Sequence, residues 1–421
     1  MRRKPAAGPG TAVLYCLLGL GLCVGLTLAG TGLAQQSTDG GTPVSSCTVV
    51  DDPGRYELTA NLSAETGVCL YVRSDDVTID GNGHAVTGSG TANGTGILVF
   101  NGTADQRRRG PELSNVTVRD VRVDGWGTGV AFGVFARDGP RATLRNVTAS
   151  SNRFGVRLLD ADGSTLRNVT ATGGSDGLVL WETADVRATD IVVAGNDDTG
   201  LYLAQEVTNG TFRRVTAVDN DDEGVYFSTS VARNRLSEAR VMANRGPGIE
   251  FADSDRNVVE NATVVGNSGP GVLSDPANAD RLRNVTVRDN GGGAYLSRSA
   301  VGGVVAENVR LGTRTTVDWT SGVERVAVVS PPPVSPANTT VVSDSVRIGT
   351  ADGRNATVDV RLGYDRQAVT RTGERVALWQ WTAGNWTRRS NATVDERTGT
   401  VSGSVGGDGV VAVLSGGDDT N

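Results

Sequence analysis

A pattern of apolar and polar positions repeats along residues 115–311 in three columns. The first column is a glycine followed by an apolar, any and apolar residue, with 22 to 24 residues from one glycine to the next. Its members are Gly155, Gly177, Gly200, Gly224, Gly248, Gly271 and Gly293. A period of this size is typical of repeat folds, in which each unit buries its apolar face against its neighbours.

Two polar columns accompany the glycines. One lies about nine residues before each glycine and comprises Asn146, Asn168, Asp190, Arg214, Glu238, Asn261 and Asn284. The other comprises Asn152, Asn196, Asn220, Asn244, Asn267 and Asn290, with Gly174 in the remaining slot. Because glycine and asparagine tolerate left-handed backbone, we predict that the glycines and the asparagines from 152 to 290 form the corners of each unit.

The units contain short runs of β-favouring residues that alternate apolar and polar, and they are too short for pairs of helices. This pattern predicts a parallel β-helix whose turns stack about 4.8 Å apart. Alternation along each strand places one set of apolar side chains inside the helix. That set is Val156, Leu178, Leu201, Val225, Ile249, Val272 and Ala294.

Three further segments flank the β-helix domain, which we place at residues 45–316. Residues 1–34 have a basic start and a long uncharged run, which predicts either a cleaved signal peptide or a retained N-terminal membrane anchor. Residues 317–336 are proline-rich and predict a linker, and the strand runs of residues 337–416 predict a small antiparallel β-sandwich. The chain is therefore expected to be exported and to lie at the cell surface or outside the cell.

Composition narrows the class of partner. The chain has 57 glycines and a net charge of −7, and Lys4 is the only lysine among its 40 basic residues. The glycine content fits a turn-rich all-β protein, and an acidic surface argues against a nucleic acid partner. The scarcity of lysine suggests an organism that lives in high salt.

The stretch from Cys47 to Gly88 carries a family resemblance. It contains Pro53-Gly-Arg-Tyr, Asn61-Leu-Ser, a second cysteine and Val77-Thr-Ile-Asp-Gly-Asn-Gly-His84. This combination resembles the N-terminal turns of NosD-like right-handed parallel β-helix proteins of the pectin-lyase-like type, which are common among exported archaeal proteins. The resemblance covers about residues 45–312 and implies an all-β, right-handed fold.

The same resemblance leaves the function open. The family spans surface proteins, carbohydrate-active enzymes and a periplasmic protein linked to copper-centre maturation. Soft copper sites need Cys, Met or His, and after residue 34 the chain offers only His84, Met242, Cys47 and Cys69. We therefore do not expect copper. We predict that Cys47 and Cys69 form a disulfide, a metal site being the alternative.

Acidic residues concentrate in one predicted corner of two adjacent turns. Asp197 and Asp198 lie 24 residues before Asp221 and Asp222, so the carboxylates are expected to stack about 5 Å apart. Such acids are compatible with calcium binding by these four aspartates. They are also compatible with a lyase or glycosidase in which Asp198, Asp222 and Arg157 are catalytic.

Aromatic and charged residues are expected on the outer face of the strands beside these acids. Tyr202, Tyr226, Trp181 and Glu250 are candidates for carbohydrate binding. The plain alternatives are that the acids are solvated turn residues and that the column Tyr202, Tyr226 and Tyr295 packs on the strand surface.

The sequence contains thirteen Asn-X-Ser/Thr motifs, several of which coincide with the repeat and are explained by it. The better candidates for glycosylation are Asn93, Asn101, Asn209, Asn338 and Asn385. Taken together, these features predict an exported surface protein that binds polysaccharides or surface glycans or is a structural module. The alternatives are a polysaccharide lyase or glycosidase and a purely architectural envelope protein.

Overall fold

The structure is a computed structural model that describes residues 40–90, 94–101, 113–133, 140–299, 303–351, 356–367, 369 and 375–416. The predicted export segment 1–34 and the candidate Asn93 lie outside these ranges. Within them, no helix has the length and apolar character needed to cross a membrane.

Strands account for almost all of the regular structure and are numbered in chain order. The first turns contain β1 (Thr42–Val44), β2 (Thr48–Val50), β3 (Gly54–Leu58), β4 (Leu62–Ser63), β5 (Val68–Val72), β6 (Val77–Asp80), β7 (Ala85–Thr87), β8 (Thr95–Val99), β9 (Val116–Asp124), β10 (Thr128–Phe132), β11 (Ala142–Ser150), β12 (Phe154–Leu159) and β13 (Thr165–Thr172). The next turns contain β14 (Asp176–Trp181), β15 (Arg187–Ala194), β16 (Leu201–Leu203), β17 (Thr211–Val218), β18 (Val225–Phe227), β19 (Arg235–Ser237), β20 (Arg240–Met242), β21 (Ile249–Phe251), β22 (Ser254–Asp255), β23 (Val258–Glu260), β24 (Thr263–Val265), β25 (Val272–Ser274), β26 (Ala277–Arg283), β27 (Thr286–Arg288), β28 (Tyr295–Ser297) and β29 (Gly303–Arg310). The C-terminal part contains β30 (Thr315–Trp319), β31 (Val323–Val329), β32 (Thr340–Val341), β33 (Ser345–Thr350), β34 (Thr357–Gly363), β35 (Val376–Thr382), β36 (Asn385–Arg388), β37 (Thr393–Asp395), β38 (Thr400–Gly406) and β39 (Gly409–Ser415).

The chain from β1 to β29 winds into a parallel β-helix of about ten turns, which confirms the predicted fold class. One strand set, which we call the first sheet, includes β9, β11, β13, β15 and β17, paired in parallel with equivalent residues opposite each other. The other, the second sheet, runs through β8, β10, β12, β14, β16, β18, β21, β25 and β28. Equivalent residues of successive turns therefore lie one above another.

The interior is filled by the apolar column that the repeat predicted. Val156, Leu178, Leu201, Val225, Ile249 and Val272 are all fully buried. The last turn departs from the prediction, because Val272 pairs with Tyr295 and not with Ala294. Tyr295 is consequently inside the helix and packs against Trp319, with the ring centroids 5.3 Å apart. Its predicted place in an outer tyrosine column was wrong.

The asparagines from 152 to 290 form a buried ladder. Four successive members, Asn196, Asn220, Asn244 and Asn267, each donate from Nδ2 to Oδ1 of the next asparagine at 2.8 to 2.9 Å. The same Oδ1 atoms accept from the backbone N–H of the preceding asparagine. The prediction that these residues adopt the left-handed conformation was wrong: positive φ angles occur at the residue before each, such as Ser151, Gly195 and Asp219.

The glycine column has a different role from the one predicted. Of the seven glycines only Gly293 has a positive φ angle. At Gly224 a Cβ atom would lie 2.4 Å from Cγ1 of Val241 and 2.7 Å from Nδ2 of Asn244. Glycine is therefore required because the asparagine ladder passes against the backbone, and no side chain fits between them.

The left-handed positions instead include the column nine residues before the glycines. Its members have φ angles of 50° to 59° and bend the strands of the first sheet. Asparagine and aspartate suit this conformation, because a short polar side chain can hydrogen-bond locally. The arginine at position 214 is accommodated with an ion pair to Asp190 at 2.6 Å.

Both sheets continue past the β-helix into the C-terminal part. β30 pairs antiparallel with β29 and β34, which pairs with β38. β31 pairs antiparallel with β28 and β33, which pairs with β39. Residues 317–336, predicted as a linker, thus contain β31 and most of β30. The repeat is lost there because strand pairing changes from parallel to antiparallel, while extended structure persists.

A disulfide joins Cys47 to Cys69, as predicted, with 22 residues of sequence separation. Cys47 directly precedes β2 and Cys69 lies in β5, and these two strands are neighbours in the second sheet. The covalent bond therefore connects the first two turns of the helix, where fewer stacked neighbours are present to hold the chain.

We predict that Asn220→Ala lowers the free energy of unfolding by about 3 kcal/mol, because it removes two buried donor contacts. It also leaves the backbone N–H of Asn196 without its acceptor, and Nδ2 of the Asn196 side chain with only the carbonyl of Ala171. Denaturant unfolding followed by circular dichroism measures this change. Asn385→Ala is the matched control, since Asn385 is exposed at a hairpin. Equal stabilities of the two variants would contradict a structural role for the ladder.

Candidate functional site

Three carboxylates meet at one corner of the helix, where residues 196–200 and 220–224 stack. Oxygen atoms of Asp198, Asp222 and Glu223 lie within 4.8 Å of one another. The backbone N–H of Asp222 donates to the carbonyl of Asp198 at 3.2 Å, which sets the stacking. Glu223 is only 4% exposed and accepts from the hydroxyl of Thr199 at 2.9 Å. We call these three residues and Asp176 the acidic cluster.

Asp176 was missed from the sequence. The corner at residues 174–177 is one residue shorter than the corner at residues 196–200, so Asp176 precedes its glycine just as Thr199 and Glu223 precede theirs. Burial, together with the charges of Asp198 and Glu223, raises the pKa of Asp176 to about 7, against lowering effects of the Thr199 backbone and of Arg153. If the turns are aligned on the glycines and not on the asparagines, Asp176 falls in the same column as Glu223. The sequence therefore contained the signal for this residue.

The basic residue beside the acidic cluster is Arg153, which the sequence analysis also missed. Its positive charge lowers the pKa of Asp176, although burial outweighs this effect. Arg153 and Arg157 both lie over the ring of Phe154, with Cζ 5.2 and 5.3 Å from its centroid. Arg157, the predicted catalytic arginine, faces outward two strands before Tyr202 in the second sheet, a separation of about 10 Å.

Tyr202 and Tyr226 form a stacked pair on the outer face of the second sheet. They are register partners in β16 and β18, and their rings are 5.2 Å apart with an interplanar angle of 9°. Glu250 follows Tyr226 in the same outward column. Burial raises the pKa of Tyr226 to about 12, and the charge of Glu250 adds to the increase. The phenol is therefore a neutral hydrogen-bond donor at physiological pH.

The other predicted site residues, Trp181, Asp197 and Asp221, are not part of the acidic cluster. Trp181 ends β14 and donates from its indole N–H to Glu182 at 3.0 Å. Asp221 pairs with Arg245 at 2.6 Å, and neither it nor Asp197 belongs to the group of converging carboxylates. Among the described residues, the ligands suited to a calcium ion are thus Asp198, Asp222 and Glu223, since calcium prefers carboxylate oxygens.

The described glycosylation candidates occupy different surroundings. Asn209, Asn338 and Asn385 are exposed, and Asn101 is half-buried. The side chain of Asn209 accepts a hydrogen bond from Arg233 at 3.0 Å. Exposure makes Asn338 and Asn385 the most accessible of the predicted acceptors.

The repeat, the buried ladder and the two parallel sheets agree with a family model described as a right-handed β-helix region. This model matches residues 95–249 and 206–310, which together cover more than half of the chain. The chain belongs to the right-handed β-helix family. No curated protein sequence matches this β-helix protein significantly.

Solved structures share the β-helix fold at low sequence identity. A mutant of the periplasmic alginate epimerase AlgG has a TM-score of 0.53 and 13% identity over 63% of this chain and 76% of its own. The A-module of an Azotobacter vinelandii mannuronan C-5 epimerase has a TM-score of 0.40 and 18% identity over 62% and 77%. A tailspike protein of the Acinetobacter baumannii bacteriophage Fri1, a capsular polysaccharide depolymerase, has a TM-score of 0.37 and 8% identity over 86% and 79%.

Asp176→Asn is predicted to stabilise the β-helix protein at neutral pH. The folded state keeps the Asp176 proton up to about pH 7, whereas the unfolded chain releases it near pH 3.8. The folded state therefore binds more protons in this window, and the stability that the aspartate provides at low pH is lost as the pH rises. The variant should gain roughly 3 kcal/mol over wild type between pH 4 and pH 8.

Denaturant unfolding at several pH values tests this expectation. Asp190→Asn is the control, because its effect on stability should have the opposite sign. Arg214 holds the pKa of the exposed Asp190 below its ordinary value, so this substitution should destabilise above pH 4. If Asp176→Asn and wild type differ by the same amount at every pH, the proton does not reside on Asp176.

Proposed function

We propose that this protein binds an extended glycan on the outer face of its second sheet, beside the acidic cluster. The observation that carries the proposal is the parallel stack of Tyr202 and Tyr226, flanked on the same face by Glu250 and at the adjacent corner by the carboxylates. The two rings form an aromatic surface whose polar ends are neutral hydroxyl groups.

The chemistry of this face suits a sugar chain. One face of each ring is covered by the other, and the remaining apolar ring surface can pack against the C–H face of a pyranose. The phenol and carboxylate groups can hydrogen-bond its hydroxyls. Equivalent residues recur one strand spacing apart along the helix, so the face is elongated along the helix axis. An elongated, partly polar face matches an elongated ligand better than a compact one.

Two further observations support a glycan partner and a surface location. The similar periplasmic alginate epimerase is named for a polysaccharide substrate. The basic and then uncharged segment at residues 1–34 supports export, with the protein either released or held by its N terminus. We propose that the protein meets its glycan at the cell surface or outside the cell.

Tyr226→Ala is expected to weaken glycan binding about tenfold, because buried aromatic anchors carry most of the energy of such contacts. Retention of the full chain on a panel of immobilised polysaccharides, in high salt, measures the effect. Tyr71→Ala is the matched control, since Tyr71 lies in the same outward column without a stacked tyrosine partner in the adjacent strand.

Retention that is equal for wild type and Tyr226→Ala would contradict the proposed face. Absence of retention on every glycan, with an intact fold, would favour the purely architectural role. The circular dichroism spectrum of each variant establishes that the β-helix persists.

A second candidate function, polysaccharide cleavage, is favoured by the acidic cluster itself. At neutral pH Asp176 is near its midpoint of protonation, and its raised pKa depends in part on the charge of Asp198. A carboxylic acid beside a carboxylate is the arrangement that glycoside hydrolysis uses for acid and base. Arg153, close to Asp176, supplies a positive charge of the kind that lyases use.

Cleavage predicts that Asp176→Asn and Asp198→Asn each abolish turnover while binding through Tyr226 persists. The assay follows reducing ends and unsaturated products over the polysaccharide panel, with and without calcium. Asp197→Asn is the control, because Asp197 lies outside the acidic cluster. Turnover that survives both substitutions would exclude these carboxylates as the catalytic groups.

A further inference from the structure

A groove of about 400 Å³ lies where the second sheet passes from the β-helix into the C-terminal strands. Its lining includes Arg325 on β31, Arg347 on β33, Trp381 on β35 and Leu296 on β28. Strand register places these side chains on one face, because Leu296 pairs with Arg325, and both Arg347 and Trp381 pair with Val410.

Two residues of the groove lining, Arg325 and Arg347, carry guanidinium groups. Many exposed arginines of the β-helix are ion-paired, as in Arg213 with Glu238 and Arg235 with Glu260. Arg325 and Arg347 are exposed and make no ion pair within the described residues. A guanidinium offers several donors in a planar fork, which suits a carboxylate.

The lining also contains two carboxylate groups, those of Asp408 and Glu324. Asp408 is already used by the fold, since its Oδ1 accepts from the backbone N–H of Thr350 at 2.6 Å and from its hydroxyl at 3.1 Å. Glu324 lies at a register irregularity between Val323 and Arg325. The carboxylate of Asp408 is therefore already engaged by Thr350, whereas the two guanidinium groups of the lining make no ion pair within the described residues.

Trp381 provides the aromatic part of the groove lining. It is half-buried, so part of its indole ring faces the groove while the rest is packed. An indole face packs against a sugar ring and also favours guanidinium groups nearby. A groove with an aromatic wall and two arginines is matched by a sugar ring that carries a carboxylate.

We propose that this groove is a binding site for an acidic sugar unit of the uronate class, separate from the tyrosine face. The carboxylate binds Arg325 and Arg347, and the ring lies against Trp381. The groove is on the same outer face as Tyr226, four strand spacings or about 19 Å along the sheet. Leu273, between them, is fully buried, so the two sites are distinct surfaces.

The test measures binding of uronate trisaccharides to the full chain by calorimetry, using the galacturonate, glucuronate, mannuronate and guluronate forms. The methyl ester of each trisaccharide is the uncharged counterpart with the same ring and linkage. Wild type should bind at least one acid form about tenfold or more tightly than its ester, because a charge-assisted hydrogen bond is lost in the ester. Tryptophan fluorescence of wild type and Trp381→Phe reports contact with the indole.

Arg325→Gln/Arg347→Gln should abolish the preference for the acid form. The matched control is Arg213→Gln/Arg235→Gln, which removes the same charge from the first sheet and should keep the preference. Equal binding of acid and ester by wild type, no binding of any uronate, or an unchanged preference in the groove variant would each overturn the proposal.

The experiment separates this proposal from the proposed function. Tyr226→Ala should retain uronate trisaccharide binding, and the groove variant should retain Tyr226-dependent binding of a neutral polysaccharide. Loss of the acid preference only in the groove variant supports the groove whether or not the tyrosine face binds a glycan.

Discussion

Hydrogen bonds between equivalent residues of successive turns hold this molecule together. The buried asparagine ladder is the clearest case, because each side chain both accepts from and donates to its neighbours while the backbone of the same corner is satisfied. An unpaired amide at this depth is costly, so each asparagine of the ladder needs a hydrogen-bond partner in the adjacent turn. The ladder therefore requires a constant corner geometry and the absence of a Cβ in the glycine beside it.

The ladder adapts where the sequence changes. Trp126 takes the place of the asparagine one turn before Asn152, and its backbone N–H donates to Oδ1 of Asn152 at 2.9 Å. A second ladder runs through Asn234 and Asn257 and ends on the buried Asp280. Burial raises the pKa of Asp280 to about 6, while the donors around it lower it. In both cases the neighbouring asparagine keeps a hydrogen bond to the residue at the end of the ladder, although that residue is not an asparagine.

Stacking of equivalent residues stabilises the amide ladder, but it destabilises residues that carry the same charge. Apolar and amide side chains gain from a like neighbour one strand away, but carboxylates repel, and the low exposure of Glu223 and Asp176 limits screening by water. In the acidic cluster, burial and this repulsion raise the pKa of Asp176, and the charge of the nearby Arg153 partly offsets the increase. The proposed glycan face lies beside this corner, and the second candidate function, cleavage, uses its carboxylates.

The sequence by itself determined the β-helix, its period, its inward column and its disulfide, because these depend on alternation and spacing that every turn repeats. It also located the tyrosine pair and two of the clustered acids. Only the tertiary structure decided which residues stack where the period varies. The shifted register at Tyr295 follows from pairing with a neighbouring turn, which spacing along one chain does not encode. Asp176 could have been placed by counting back from its glycine, but its burial beside Asp198 and Glu223 depends on the stacked turns. The groove at Arg325 and Trp381 depends on antiparallel strands far apart in sequence, so it became visible only once the sheets were assembled.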